Sequence, residues 1–258
     1  MNAVELYKKL PQKNCGQCPG KTCMPFALSV LRGESELSEC PHLSVEDAAL
    51  LKGQVTTSDW REELVLKLQE EVRRLSFPEV AAGLGAGVRD GSLVLKCLGR
   101  EFVIGNSGDI RTAGHLTPWM KILLLHYIRT AGKAPPSDKW VSFSELKNGN
   151  LKAAAFKREC EDPLKELFKR NIRAVSDALA KLGATTAGDF PTDQAWRVDL
   201  IPKMPAVILY WPEDPEDNEF DASLKILFDA SADKFLDVES LLFLLEGLVK
   251  NIEVLFSS

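Results

Sequence analysis

Apolar positions recur at helical spacing along much of the chain and at alternate positions in a few shorter runs, and the two periods separate helices from strands. Val4 to Leu10 predicts a short helix stopped by Pro11, because proline disfavours helix in the residue before it. Phe26 to Leu31 predicts a helix of two to three turns, with Pro25 in its first turn and Gly33 past its end. Ser44, with Asp47 three residues on, opens another short helix by a capping box. Trp60, Leu64, Leu68, Val72 and Leu75 mark a further helix, with Ser58 or Asp59 as its cap. Thr117-Pro118 opens a helix whose residues Trp119 to Ile128 are apolar on nearly every side before Gly132 stops it, so it is expected to be central and buried. The clearest stripe follows Asp162-Pro163, with Leu164, Leu167, Phe168, Ile172, Val175, Leu179 and Leu182 on one face of a single helix ending at Gly183. Asp237 caps a last helix through Val249.

Ser92 to Cys97 and Arg100 to Ile104 alternate around Leu98-Gly99 and read as a hairpin. Pro205 to Trp211 is a continuous apolar strand, and Leu224, Ile226 and Phe228 alternate on another. The acidic loop Pro212 to Asp221 joins them as an antiparallel pair. Strand and helix do not alternate regularly, which predicts an α+β fold. A polar linker at Gln54 to Ser58 divides the chain into a small helical domain, residues 1–55, and a larger one with antiparallel strands and several helices, residues 56–258.

The hydrophobic content, 45% of 258 residues, is enough for real cores. The longest apolar runs, Ile122 to Leu125 and Leu241 to Leu245, fall far short of the roughly 20 residues of a membrane span, so no membrane insertion is expected. With 37 acidic against 32 basic residues the net charge is -5, which argues against general nucleic-acid binding. The cluster of Lys157, Arg158, Lys165, Lys169, Arg170, Arg173 and Lys181 reads as the solvated face of an amphipathic helix. Six cysteines behind an amino end without an export pattern point to a reducing, cytoplasmic setting, where thiols serve metal or redox chemistry. Cys97 and Cys160 stand apart and read as small structural residues.

The other four cysteines, Cys15, Cys18, Cys23 and Cys40, follow the spacing C-x2-C-x4-C-x16-C. Thiolate sulfur is the usual ligand of iron-sulfur clusters, which need four of them converging. Cys15 and Cys18 flank Gly16-Gln17 in a tight loop, Pro19-Gly20 bends the chain back, and Cys23 starts a helix whose amino end favours a thiolate. The helix and its return then bring Cys40 to the fourth corner. One 4Fe-4S cluster is the expected cofactor. Zinc on four cysteines and a regulatory disulfide arrangement stay open, and His42 is a conceivable substitute ligand.

Leu10-Pro11, Asn14-Cys15-Gly16, Cys18, Thr22-Cys23, Phe26-Ala27, Gly33 and Cys40-Pro41 together resemble the four-cysteine cluster domain of the corrinoid iron-sulfur protein large subunit, the acetyl-CoA decarbonylase/synthase gamma subunit. A similar domain occurs in the B subunit of the Rnf electron-transport complex. The resemblance implies a 4Fe-4S cluster on Cys15, Cys18, Cys23 and Cys40, but it does not extend to the barrel and corrinoid-binding domain of that subunit. The remainder, especially Val207 to Leu241, resembles a domain of unknown function from anaerobes.

Elsewhere Glu213, Asp214, Glu216, Asp217, Glu219 and Asp221 form a dense acidic loop without the ordered pattern of a calcium hand. Gly83, Gly85 and Gly87 lack the strand and spacing of a phosphate loop. His115 and His126 have no nucleophile motif beside them, so no catalytic constellation is expected. The expected function is single-electron transfer with a redox partner protein, a corrinoid protein being one candidate. The alternative is a binding or scaffold protein in which the cluster, or zinc, only staples a small domain.

Overall fold

The computed structural model describes residues 2–55, 60–192, 194–213 and 221–256. The chain forms two compact units, Met1–Lys67 and Leu68–Ser258. Its fold is α+β. Among the described residues no helix is long and apolar enough to cross a membrane. Residues 56–59, with the expected cap at Ser58 or Asp59 and most of the expected linker, lie outside the description, as do residues 214–220 of the acidic loop.

The first unit is built from α1 (Ala3–Lys9), α2 (Cys23–Leu31) and α3 (Val45–Lys52), with a single 3-10 turn at Leu37–Glu39. Asn2 caps α1, and Ser44 caps α3 by accepting the Asp47 amide at 3.0 Å. Leu6, Leu10, Phe26, Ala27, Val30, Leu37, Ala48 and Leu51 form one small core, and Cys23 and Cys40 belong to it. A core of this size carries little stability alone, so a metal staple would add to it.

In the second unit the expected elements appear with additions. Helix α4 (Trp60–Arg73) begins in the first unit and ends in the second, where it buries Leu68 and Val72, and the short α5 (Phe77–Val80) follows. Strands β1 (Gly87–Arg89), β2 (Ser92–Cys97), β3 (Arg100–Ile104) and β4 (Ile110–Thr112) form an antiparallel meander. The expected hairpin is β2-β3, and both turn residues, Leu98 and Gly99, have positive φ, the mirror-image turn that suits strand twist. Helix α6 (Pro118–Arg129) is buried as expected, with Thr117 accepting the Met120 amide at 3.2 Å.

After β5 (Trp140–Ser142) the chain departs from the single-helix reading at Asp162. The helix begins earlier, as α7 (Ala153–Phe156), and passes through a π turn at Lys157–Glu161 into α8 (Asp162–Arg170). The expected stripe then breaks at Asn171, whose extended backbone (φ -162°, ψ 95°) ends α8 and whose side chain caps α9 (Ile172–Lys181) by accepting the Ala174 amide at 3.0 Å. The apolar stripe continues across the break because both short helices bury it in the core, Leu164, Leu167 and Phe168 from one and Val175, Ala178 and Leu179 from the other. Asparagine competes for backbone donors, and here that preference prevails over periodicity.

Strands β6 (Thr185–Thr186), β7 (Ala195–Ile201), β8 (Met204–Trp211) and β9 (Ser223–Asp229) complete a second sheet, antiparallel throughout, in the order β5-β9-β8-β7-β6. The expected pairing of Pro205–Trp211 with the 224–228 strand is β8-β9. Central β8 is covered on both faces, which explains its unbroken apolar run. On one face Phe168 stacks on Tyr210 at 4.7 Å and lies 4.9 Å from the Trp196 ring. On the other, Ala195, Val207 and Leu209 pack with Trp140, Phe190 and Trp211. Helix α10 (Val238–Phe256) runs beyond the expected end at Val249, and Asp237 caps it by accepting the Ser240 amide at 2.8 Å.

Two buried acids hold this unit together where β5 and β9 meet the helices. Ile226 donates its amide to Glu161 at 3.2 Å, beyond the short β5 ladder, and burial pushes the Glu161 carboxyl up. Asp229 is 2% exposed and accepts from the amides of Ser137, Asp138 and Ser231 and from both serine hydroxyls. Burial alone would raise its pKa, but the hydrogen bonds from Ser231 and Ser137 outweigh it and hold the group at about 2.

Candidate metal centre

The loop between α1 and α2 carries left-handed backbone at Gln12, Asn14, Gly16 and Lys21. Left-handed residues at close intervals bend a chain sharply, the geometry from which nests of N-H groups around anions and iron-sulfur sites are built. Gly16, at φ 75°, supplies one such position without steric cost. Gly20 is required for a different reason: a Cβ there would lie 2.4 Å from the Phe26 amide nitrogen, so only glycine lets the loop close onto the first turn of α2.

Asn14 fixes the other side of the loop. Its Oδ1 accepts the Cys23 amide at 2.9 Å, a capping bond that the helix's own N-cap residue, Thr22, does not make with its side chain. Pro25 has no amide to satisfy. Cys23 therefore sits at the first position of α2, tied through Asn14 to the residue immediately before Cys15. Cys40 closes the 3-10 turn, donating its amide to the Leu37 carbonyl at 3.2 Å.

The four thiols grade from solvent to core. Cys15 is exposed, Cys18 is half-buried and packs against the core, and Cys23 and Cys40 are 6% and 7% exposed. Burial pushes the Cys18 thiol up, the Gly20 amide opposes this as a hydrogen-bond donor, and the charges of Cys40, Cys23 and Cys15 raise it further. All four sulfurs thus share one electrostatic neighbourhood. Four thiolates repelling one another there fit a multiply charged metal core, which replaces their protons. Among the described residues no three histidine, cysteine or acidic side chains close to the spacing of a single bound ion. His42 is exposed and has Nδ1 3.4 Å from Lys13 Nζ.

The remaining sequence candidates resolve into structural parts. Cys97 and Cys160 are buried, and burial pushes the Cys97 thiol up to about 12 and that of Cys160 higher still, so neither is a ready nucleophile. Lys169 pairs with Asp221 at 2.8 Å and Glu213 at 3.6 Å, and Lys165 pairs with Asp221 at 3.5 Å, which neutralises part of the basic helix face against the ends of the acidic loop. Gly83 packs on the Gly132 backbone and Gly85 on Pro202. His115 is exposed, and its carbonyl accepts from Arg100.

The chain is an α+β protein whose amino-terminal unit gathers four cysteines on and around one loop and matches an iron-sulfur domain family. The chain belongs to the family described as "Domain of unknown function (DUF3786)", which matches residues 76–251, about two thirds of its length. Residues 10–42 match the family described as "Putative Fe-S cluster". Over 49 residues, 19% of this chain and 10% of the relative, it is 45% identical to the corrinoid/iron-sulfur protein large subunit of Moorella thermoacetica. Over 52 residues, 20% of this chain and 11% of the relative, it is 36% identical to the acetyl-CoA decarbonylase/synthase complex subunit gamma of Methanothermobacter thermautotrophicus. The chain therefore spans about a tenth of the length of these curated relatives. No solved structure matches it.

Proposed function

We propose that Cys15, Cys18, Cys23 and Cys40 ligate one 4Fe-4S cluster and that this cluster passes single electrons to a partner protein in the cytoplasm. In this reading residues 1–55 are the cluster domain, and residues 56–258 dock a partner or small ligand. The observation that carries it is the graded burial of the four thiols, with Cys23 and Cys40 anchored in the core and Cys15 exposed. A cluster held in that way is rigid behind and open in front, where an electron could leave over a short distance. Amide donors such as that of Gly20 would tune its potential. The names of the relatives make a corrinoid protein the first partner to try.

The test is anaerobic purification followed by dithionite addition under a spectrophotometer. The brown absorbance is expected to bleach on reduction and return on oxidation, and Cys40→Ser is expected to lose it. A cluster that no accessible reductant bleaches would instead leave it the role of a structural staple for the small first core.

A further inference from the structure

We infer that the cleft between the carboxyl end of α6 and the amino end of α10 binds a small multivalent anion of the phosphate or carboxylate class. Its inner chamber has a volume of about 290 Å³, and a neighbouring hollow of about 580 Å³ shares Arg129, Thr130 and Lys234 with it. This is the size of a site for a small metabolite.

The backbone brings cations to the cleft from three separated segments. Arg129 lies one helical turn beyond His126 on α6. Ala131 and Gly132, both with positive φ, then turn the chain so that Lys133 lines the outer hollow. Lys147 arrives just before Asn148, another left-handed residue, and Lys234 comes from the 3-10 turn ahead of α10. The amino end of α10, a 19-residue helix, borders the same space at Asp237 and Val238, where the Asp237 carboxylate caps it.

The charges in the walls do not cancel. Arg129 pairs with Glu71 at 3.2 Å, whereas Lys133, Lys147 and Lys234 enter no ion pair among the described residues. Two acids line the cleft as well and keep their charge, Asp233 accepting the Lys147 amide at 3.1 Å and Asp237 the Ser240 amide, so the cations of the two hollows, Arg129, Lys133, Lys147 and Lys234, outnumber them four to two. His126 is half-buried in the inner chamber. Burial, and then the charge of Arg129, pushes its imidazole down, so near neutrality it offers hydrogen bonds without charge. Lys147 and Lys234 at the inner chamber and Lys133 at the outer hollow, none of them in an ion pair among the described residues, together with a neutral imidazole make a receptor for an anion with several oxygens.

The test uses the full-length, cluster-containing protein, titrated by calorimetry with sodium pyrophosphate and separately with citrate at constant ionic strength. At least one is expected to bind saturably at a single site, and the Lys147→Ala/Lys234→Ala variant to bind it at least tenfold more weakly. Lys250→Ala, on the far part of α10, is expected to match the unaltered protein. Pyrophosphate binding alone would assign a phosphate ligand, and citrate binding alone a carboxylate. In parallel, the His126 ring signals in the NMR spectrum of the unaltered protein are expected to move with the titration while those of His42 and His115 stay still. Absence of binding by either anion at 10 mM, binding unchanged in the double variant, or a static His126 would each overturn the proposal.

Discussion

Asp229→Asn is expected to destabilise the second unit by about 2 kcal/mol at pH 7. The carboxylate lies at the end of β9 and gathers amide and hydroxyl donors from residues 137–138 and 231, and its pKa falls from 3.8 to about 2. A shift of that size, at about 1.4 kcal/mol per pKa unit, corresponds to roughly 2 kcal/mol of preference for the charged form in the folded state. Asparagine keeps the shape but loses the charge and turns an amino group toward donors. The folded pKa lies below the unfolded one, so the stabilisation is complete above about pH 4 and is lost as pH falls through 2. Four of the five tryptophans lie in residues 68–258, so thermal unfolding followed by their fluorescence reports mainly this unit. For a domain of this size the loss corresponds to a Tm about 4–8 °C lower at pH 7, shrinking markedly by pH 2.5. A variant within 1 °C of the unaltered protein at pH 7, or a gap as wide at pH 2.5 as at pH 7, would refute the reasoning.

Two further substitutions probe the loop and the helix break. Gly20→Ala is expected to prevent close packing of the cysteine loop on α2, because its Cβ would meet the Phe26 amide, and so to lower iron content per chain severalfold while leaving the circular dichroism of the larger unit intact. Undiminished iron in that variant would mean that the loop has room to move. Asn171→Ala removes the cap of α9 and is expected to cost about 1 kcal/mol in urea unfolding, whereas Asn171→Asp is expected to recover most of it; equal stability of all three would show that the cap contributes nothing.

Much of this architecture was legible in the sequence, and what was not has physical causes. Long periodic segments declared themselves: α6, with Thr117-Pro118 at its start, and the β8-β9 pair, with its unbroken and alternating runs, follow directly from hydrophobic spacing. Strands β1, β4, β5 and β6 have two or three residues each, too few to show a period, and they exist because a neighbouring strand offers a free edge. The break at Asn171 was hidden because the apolar stripe continues through it. The roles of Asp229 and Glu161 were hidden for a different reason: Ser231 lies two residues from Asp229, but Ser137 lies 92 residues from it and Ile226 lies 65 from Glu161. At the metal centre, the cysteines, Gly16 and the Pro19-Gly20 turn stood out. Asn14 stood out only through the family resemblance and its capping bond to Cys23 was not read, although an asparagine next to a loop cysteine both tolerates left-handed backbone and accepts amides. The cleft of Lys147 and Lys234 is assembled from distant segments and has no motif.

The most direct test of the central claim is metal and sulfide analysis of the anaerobically purified protein, read together with electron paramagnetic resonance after reduction. The account predicts four irons and four labile sulfides per chain, no zinc, and a reduced-state signal that disappears in Cys40→Ser. Zinc at one per chain, or iron and a signal that survive loss of Cys40, would contradict it.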